Sequence, residues 1–262
     1  MKVYKEKRLG YAAGLFYSFL MWTGTLVLTV FFTLADIFIA FPLSLLFEKG
    51  SGGFAHKVTN LWARGIIGCN PIWKLAVTGR SRIEKGKHYI VIANHQSMLD
   101  ILVVAAALPL HFKFLAKKEL FSIPFLGWAM SCAGYIPVDR ASHESGRRAM
   151  KRIQALLAKG LSVLLFPEGT RSPDGKIHGF KAGAFKLARE SGVEILPVVI
   201  DGTGSALPKR SLVLRNRTRF VVSIGKPVWF ATLNDRSLDE ARESVRHEMV
   251  ARLARLRHGR QL

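Results

Sequence analysis

Tyr89-Ile90-Val91-Ile92-Ala93-Asn94-His95-Gln96-Ser97-Met98-Leu99-Asp100 passes from one kind of secondary structure to another without a break. The run Tyr89–Ala93 is apolar on both faces and rich in β-branched residues, the pattern of a strand buried in a parallel sheet. A polar step follows at Asn94, His95 and Gln96, and a helix is predicted from near Ser97. The same unit recurs along the chain. Strands are predicted over Trp73–Val77, His88–Ala93, Phe112–Ala116, Tyr135–Val138, Ser162–Phe166, Glu194–Ile200 and Arg219–Ile224. Helices are predicted over Asn60–Gly68, Ser97–Ala107, Ile123–Cys132, Glu144–Ala158, Ala182–Glu190 and Leu238–Leu256. The last of these has a Ser237/Glu240 capping box and a core-facing stripe of Val245, Met249, Leu253 and Leu256. Alternating strands and helices give an α/β fold with a mixed, mostly parallel central sheet flanked by helices. Sites in such sheets lie at the carboxyl ends of strands.

His95 stands at such an end. Asp100 lies about one turn into the following helix, whose side chains lean toward its N-terminus. A carboxylate there can reach the imidazole, fix its tautomer and leave the second ring nitrogen free to take a proton. No serine or cysteine accompanies the couple in a nucleophile setting, so the nucleophile is expected to be a substrate hydroxyl. The second informative stretch is Phe166-Pro167-Glu168-Gly169-Thr170-Arg171-Ser172, after the apolar strand Val163-Leu164-Leu165. Proline and glycine force a tight turn there, and Gly169 lets backbone approach a ligand. Arg171 supplies a planar fork matched to phosphate oxygens.

Composition narrows the partners. The 262 residues hold 39 Lys+Arg against 18 Asp+Glu, a net charge of +21, which attracts polyanions of every kind. No basic run or aromatic ladder favours nucleic acid, so anionic membrane lipids and phosphate-bearing substrates are the expected partners. Cys69 and Cys132 are the two cysteines. Neither has a partner at metal-ligand spacing, so no metal site is expected, and both read as buried structural thiols. Asp201-Gly202-Thr203-Gly204 reads as a turn in preference to a dinucleotide-binding loop.

The N-terminal fifth is of another character. Gly10–Ala35 carries no charge, and after Asp36 a second apolar run extends to Phe47. Tyr11–Leu34 is long enough for one transmembrane helix. Basic residues flank the stretch on both sides: Lys2, Lys5, Lys7 and Arg8 before it, Lys49, Lys57 and Arg64 after it. That symmetry favours a hairpin dipping into one leaflet over a single span, with Gly24, Asp36 and Pro42 as break points. The expected organisation is a membrane-associated helical anchor at residues 1–50 and a catalytic domain at 51–262, facing the cytoplasm on the cytoplasmic (inner) membrane.

These blocks resemble the membrane-associated glycerolipid acyltransferases, and within them the 1-acylglycerol-3-phosphate acyltransferases. His95 and Asp100 match the family's Asn-His-x4-Asp block. Gly134-Tyr135-Ile136-Pro137-Val138-Asp139-Arg140 resembles its second block, in which Pro137 suggests an edge strand or bulge. Phe166–Ser172 matches the third. Leu196–Ile200 resembles the fourth, linked to the acyl-donor side. Lys117 and Phe180-Lys181-Ala182-Gly183 also fall in familiar stretches. The resemblance implies His95 and Asp100 as the catalytic couple. It implies Arg140, Glu168, Gly169, Arg171 and Lys117 around the substrate phosphate. It implies no cofactor beyond the co-substrate, acyl-CoA or acyl carrier protein.

The implied reaction moves a fatty acyl group to the sn-2 hydroxyl of lysophosphatidate, giving phosphatidate. His95 is the base and Asp100 its orienting partner, with Lys117 or the amides at the Ser97 helix start as oxyanion donors. The alternatives are an acyltransferase for another lysolipid, such as lyso-ornithine lipid or lysophosphatidylglycerol, and a non-enzymatic basic membrane adaptor.

Overall fold

The computed structural model describes residues 7–48, 51–139, 141–209, 211–230 and 238–261. Among the described residues, eight strands form one sheet: β1 (Lys7–Arg8), β2 (Trp73–Thr78), β3 (Ile90–Ala93), β4 (Phe112–Lys117), β5 (Ile136–Val138), β6 (Ser162–Leu165), β7 (Ile195–Asp201) and β8 (Asn216–Ile224). Their order is β1-β8-β7-β3-β6-β4-β5, with β2 also pairing on β8. The five strands from β7 to β5 are mutually parallel, whereas β8 runs antiparallel to β7 and β2 parallels β8. The sheet is therefore mixed and mostly parallel. β3 is central, with Ile90 opposite both Val163 and Ile195, and all four of its residues are buried. Pro137 lies in β5, the edge strand of the sheet, where a proline is tolerated.

Alternation along the strands sends side chains to two separate cores. Val91, Ala93, Leu164, Leu196 and Val198 face one layer, built from α1 (Tyr11–Ala35), α3 (Gly53–Cys69), α4 (Leu99–Ala107) and α5 (Leu126–Cys132). Ile90, Ile92, Val163, Leu165 and Ile195 face the other, built from α6 (His143–Ala158), α7 (Gly183–Ser191) and α9 (Leu238–Gln261). Val245, Met249 and Leu253 are buried in this second layer and Leu256 packs against it, as the α9 stripe required. Ser237 lies outside the described residues.

The apolar N-terminal stretch is one continuous helical run, Tyr11–Phe47, long and apolar enough to cross a membrane by length and composition. It comprises α1, a π-helical turn at Asp36–Ala40 and α2 (Phe41–Phe47). The chain does not reverse at Gly24, Asp36 or Pro42. Pro42 sits in the first turn of α2, where the wider π turn before it absorbs the missing amide. The reversal comes after Phe47. Glu48 caps α3 by accepting from the Gly53 amide at 2.6 Å and the Phe54 amide at 3.0 Å. α3 then runs back along α1, and Trp62 Nε1 donates to Thr29 Oγ1 at 3.0 Å. The other side of α1 touches the loop before β8, where Gly14 comes so close to the Leu214 carbonyl that a β-carbon would sit 2.8 Å from it. Phe19, Leu26, Phe31, Phe38 and Leu46 remain exposed. Cys69, at the last position of α3, is exposed rather than buried.

Candidate active site

β3 ends at Ala93, and the next three residues are fixed by bonds that only the folded sheet provides. Asn94 grips the end of β7 with both ends of its amide. Its Nδ2 donates to the Ile200 carbonyl at 2.9 Å, and its Oδ1 accepts from the Ile200 amide at 2.8 Å. This staple sets the exit direction of the loop and points His95 across the rim.

Asp100, fully buried in the first turn of α4, is the hub. Its Oδ2 accepts from His95 Nδ1 at 2.7 Å, from the Gln96 amide at 2.6 Å and from the Ser97 amide at 2.9 Å. Its Oδ1 accepts from Thr203 Oγ1 at 2.5 Å. The Gln96 and Ser97 amides can only donate, so Oδ2 carries no proton of its own and can only accept from the imidazole. The His95 proton is therefore on Nδ1, and the lone pair is on Nε2. Nε2 has no protein partner among the described residues. Phe166 stacks on the imidazole with centroids 4.2 Å apart and rings inclined at 23°, which restricts the ring's swing. The neighbouring serines are occupied elsewhere: Ser97 Oγ donates to the Leu207 carbonyl, and Ser172 Oγ to Asp174. His95 Nε2 is thus free to take a proton, and neither of these two serines is free to act as a nucleophile beside it.

The turn after β6 closes over this loop. Glu168 is buried, and its carboxylate accepts from the His95 amide at 2.9 Å and from the His178 amide at 3.1 Å. Burial pushes its carboxyl above the usual range, and the two amides oppose that shift. The Ser172 amide donates back to the His95 carbonyl at 2.7 Å. Glu168 thus ties both loops together through its two carboxylate oxygens.

Comparison with known proteins decides the family. Residues 74–201 match the family described as Acyltransferase. A 1-acyl-sn-glycerol-3-phosphate acyltransferase of Chlamydomonas reinhardtii is 37% identical over 231 residues, covering 87% of this chain and 67% of that protein. The chain belongs to the 1-acyl-sn-glycerol-3-phosphate acyltransferase family. A chloroplastic member from Arabidopsis thaliana is 37% identical over 219 residues, or 83% of this chain, and the chain spans 60% of that protein's length. The crystal structure of the 1-acyl-sn-glycerophosphate acyltransferase PlsC from Thermotoga maritima superposes with a TM-score of 0.69 at 27% identity. The match covers 90% of this chain and 98% of that one.

Around this family's blocks the cations are unevenly placed. Arg171 is half-buried on the turn beside Glu168, and its carbonyl accepts from Lys209 Nζ at 2.9 Å. Gly169 has a φ of +73°, a conformation that favours glycine, and the Lys181 side chain lies against it. A β-carbon there would meet Lys181 Nζ at 2.9 Å. Lys181 therefore joins Arg171 as a cation of this turn, a role for which sequence gave only a familiar stretch. Lys117 ends β4, two strands from β3, and is exposed and paired with Glu119 at 3.2 Å. Arg140 lies outside the described residues. The Gln96 and Ser97 amides are spent on Asp100, so they do not serve as the oxyanion donors expected from sequence.

An apolar cavity of about 430 Å³ opens on the α1 side of the sheet. Met98 and Leu99, three and four residues after His95, are among its lining residues. Trp62, Phe125, Tyr135 and Asp36 line its walls. α1, α3 and the segment before α5 thus border an apolar space suited to a hydrocarbon chain.

Proposed function

We propose that this protein transfers a fatty acyl group from an acyl thioester, acyl-CoA or acyl carrier protein, to the sn-2 hydroxyl of lysophosphatidate, yielding phosphatidate. The observation that carries the reading is the buried His95–Asp100 couple, with Nε2 unpartnered among the described residues and the neighbouring Ser97 and Ser172 hydroxyls bonded elsewhere. The names of the relatives support the acceptor.

His95 Nε2 takes the hydroxyl proton as the lipid oxygen attacks the thioester carbonyl. Asp100 holds Nδ1–H and stabilises the imidazolium, and Thr203 with the Gln96 and Ser97 amides fixes the position of that carboxyl group. When the tetrahedral intermediate collapses, the carbon–sulfur bond breaks and the thiolate leaves with the proton that His95 returns. Arg171 and Gly169 hold the glycerophosphate with Lys181, joined by Lys117 and Arg140, so that the free hydroxyl faces His95. Glu168 serves that phosphate site from behind, by fixing the turn that carries Arg171. The donor's acyl chain lies in the apolar cavity. No cofactor is required beyond the thioester.

Residues 1–50 seat the protein in the cytoplasmic (inner) membrane, and residues 51–262 carry the chemistry on the cytoplasmic side. The exposed apolar residues of the N-terminal helix and the net charge of +21, which draws anionic lipid headgroups, support this placement. The test is to incubate purified protein with oleoyl-coenzyme A and lysophosphatidate and follow free thiol release and phosphatidate. Lyso-ornithine lipid and lysophosphatidylglycerol serve as rival acceptors. Phosphatidate formation well above the rival products supports the reading, and thiol release with neither lysophosphatidate nor a rival refutes it.

A further inference from the structure

The sheet divides the molecule into an apolar side and a basic side. α1 and α3, with the exposed apolar residues of the N-terminal helix, pack on one face. α6 packs on the other, burying Ala149, Ile153 and Leu157 and turning Arg147, Arg148, Lys151, Arg152 and Lys159 to solvent. From Arg147 to Lys159 this row runs about 18 Å along the helix. Arg148 pairs with Glu144, while Arg147, Lys151 and Arg152 make no ion pair among the described residues. Among those residues, no large apolar side chain is exposed on α6 or α7. This surface therefore lacks what a bilayer-seated face needs, and it looks away from the helices that have it.

At the N-terminal end of α6 a depression of about 400 Å³ lies between Lys118, Ser142, Ser145, Arg148 and Arg152, with Asp139 held by Lys118 at 2.5 Å. It opens at the carboxyl end of β5, on the same rim as His95. Three strand spacings separate β5 from β3, about 14 Å. A phosphopantetheine arm bridges that distance.

We propose that the basic face of α6 docks an acidic acyl carrier protein, whose thioester arm passes over the β5–β4 rim to His95. The inference rests on the acyl-transfer reading above. The small coenzyme A donor would engage at most one end of an 18 Å row, whereas an acidic helix of a carrier protein matches its length. The membrane contributes on the opposite side.

The test compares palmitoyl-acyl carrier protein with palmitoyl-coenzyme A as donors for the full-length protein, with lysophosphatidate as acceptor. The wild type is set against the triple variant Arg147→Glu, Lys151→Glu, Arg152→Glu. The carrier-protein donor should lose about thirtyfold in kcat/KM, mostly in KM, and its wild-type salt dependence should flatten. The coenzyme A donor should stay within about twofold, which also reports an intact fold. Sedimentation with phosphatidylglycerol-containing vesicles should be unchanged. Equal losses with both donors, no loss with the carrier protein, or lost vesicle binding alone would overturn the docking proposal. A wild type that uses only coenzyme A overturns it too, while leaving acyl transfer intact. A wild type that uses neither donor removes the acyl-transfer reading itself.

Discussion

Thr203→Val keeps the shape of the side chain and deletes one hydroxyl, the group that donates to Asp100 Oδ1 at 2.5 Å. A hydrogen bond to a buried charged group is worth about 1.5–3 kcal/mol. Asp100 keeps its other three partners, His95 Nδ1 and the Gln96 and Ser97 amides, so the imidazole stays attached. The loss therefore falls on how rigidly the couple is held. If half of it reaches the transition state, the rate drops about three- to twelvefold, since about 1.4 kcal/mol corresponds to one decade. The assay is steady-state thiol release with saturating donor and varied lysophosphatidate. We expect kcat to fall about three- to twelvefold with KM changed by less than about twofold, because Thr203 is buried and acts through Asp100. Thr203→Ser, which restores the hydroxyl, should recover most of the rate. Wild-type kcat in Thr203→Val, or an equal loss in Thr203→Ser, would refute the claim that this hydroxyl acts through Asp100.

Further outcomes follow from the same geometry. Glu168→Gln offers one acceptor where two amides now donate, so one of the His95 and His178 amides loses its partner; we expect a destabilised turn, about 1–3 kcal/mol in denaturant unfolding, and at least about tenfold lower kcat. Asp36 is buried in the apolar cavity with Oδ1 unbonded to protein, so Asp36→Leu should raise the thermal midpoint in detergent by a few degrees, as expected for removing a penalty of about 1–3 kcal/mol. Burial holds His56 down at about 3 and His111 at about 4. The unfolded chain binds the extra protons below its ordinary value of 6.5, so stability should fall as pH drops from there towards 4 and then 3. Thermal scans from pH 7.5 to 4 check this, and a His56→Gln variant should show a shallower decline.

The periodic elements were legible because their information is local. Seven strands appear where β-branched runs placed them, and β3, with all four residues buried, was marked by its lack of polar alternation. His95 and Asp100 were legible because one helical turn fixes their separation. What escaped was non-local. Thr203 reaches Asp100 from 103 residues away, and Asp201–Gly204, read as a turn, in fact opens the short helix α8 (Thr203–Ala206) with Gly202 in a left-handed conformation. Glu168 read as a phosphate-site residue, and only the folded loops reveal the two amides it holds. The N-terminal half of α3 was hidden because Ser51-Gly52-Gly53 looks like a linker. The Glu48 cap that starts α3 depends on a chain reversal no local pattern announces. Strand order, which puts β3 between β6 and β7, is likewise a property of the assembled sheet.

The most direct measurement is the rate of phosphatidate formation by His95→Ala, alongside its binding to lipid vesicles. With the imidazole gone and Asp100 still in place, turnover should fall by about 10³-fold while vesicle binding matches the wild type. Acylation by His95→Ala at close to the wild-type rate would contradict the account at its base.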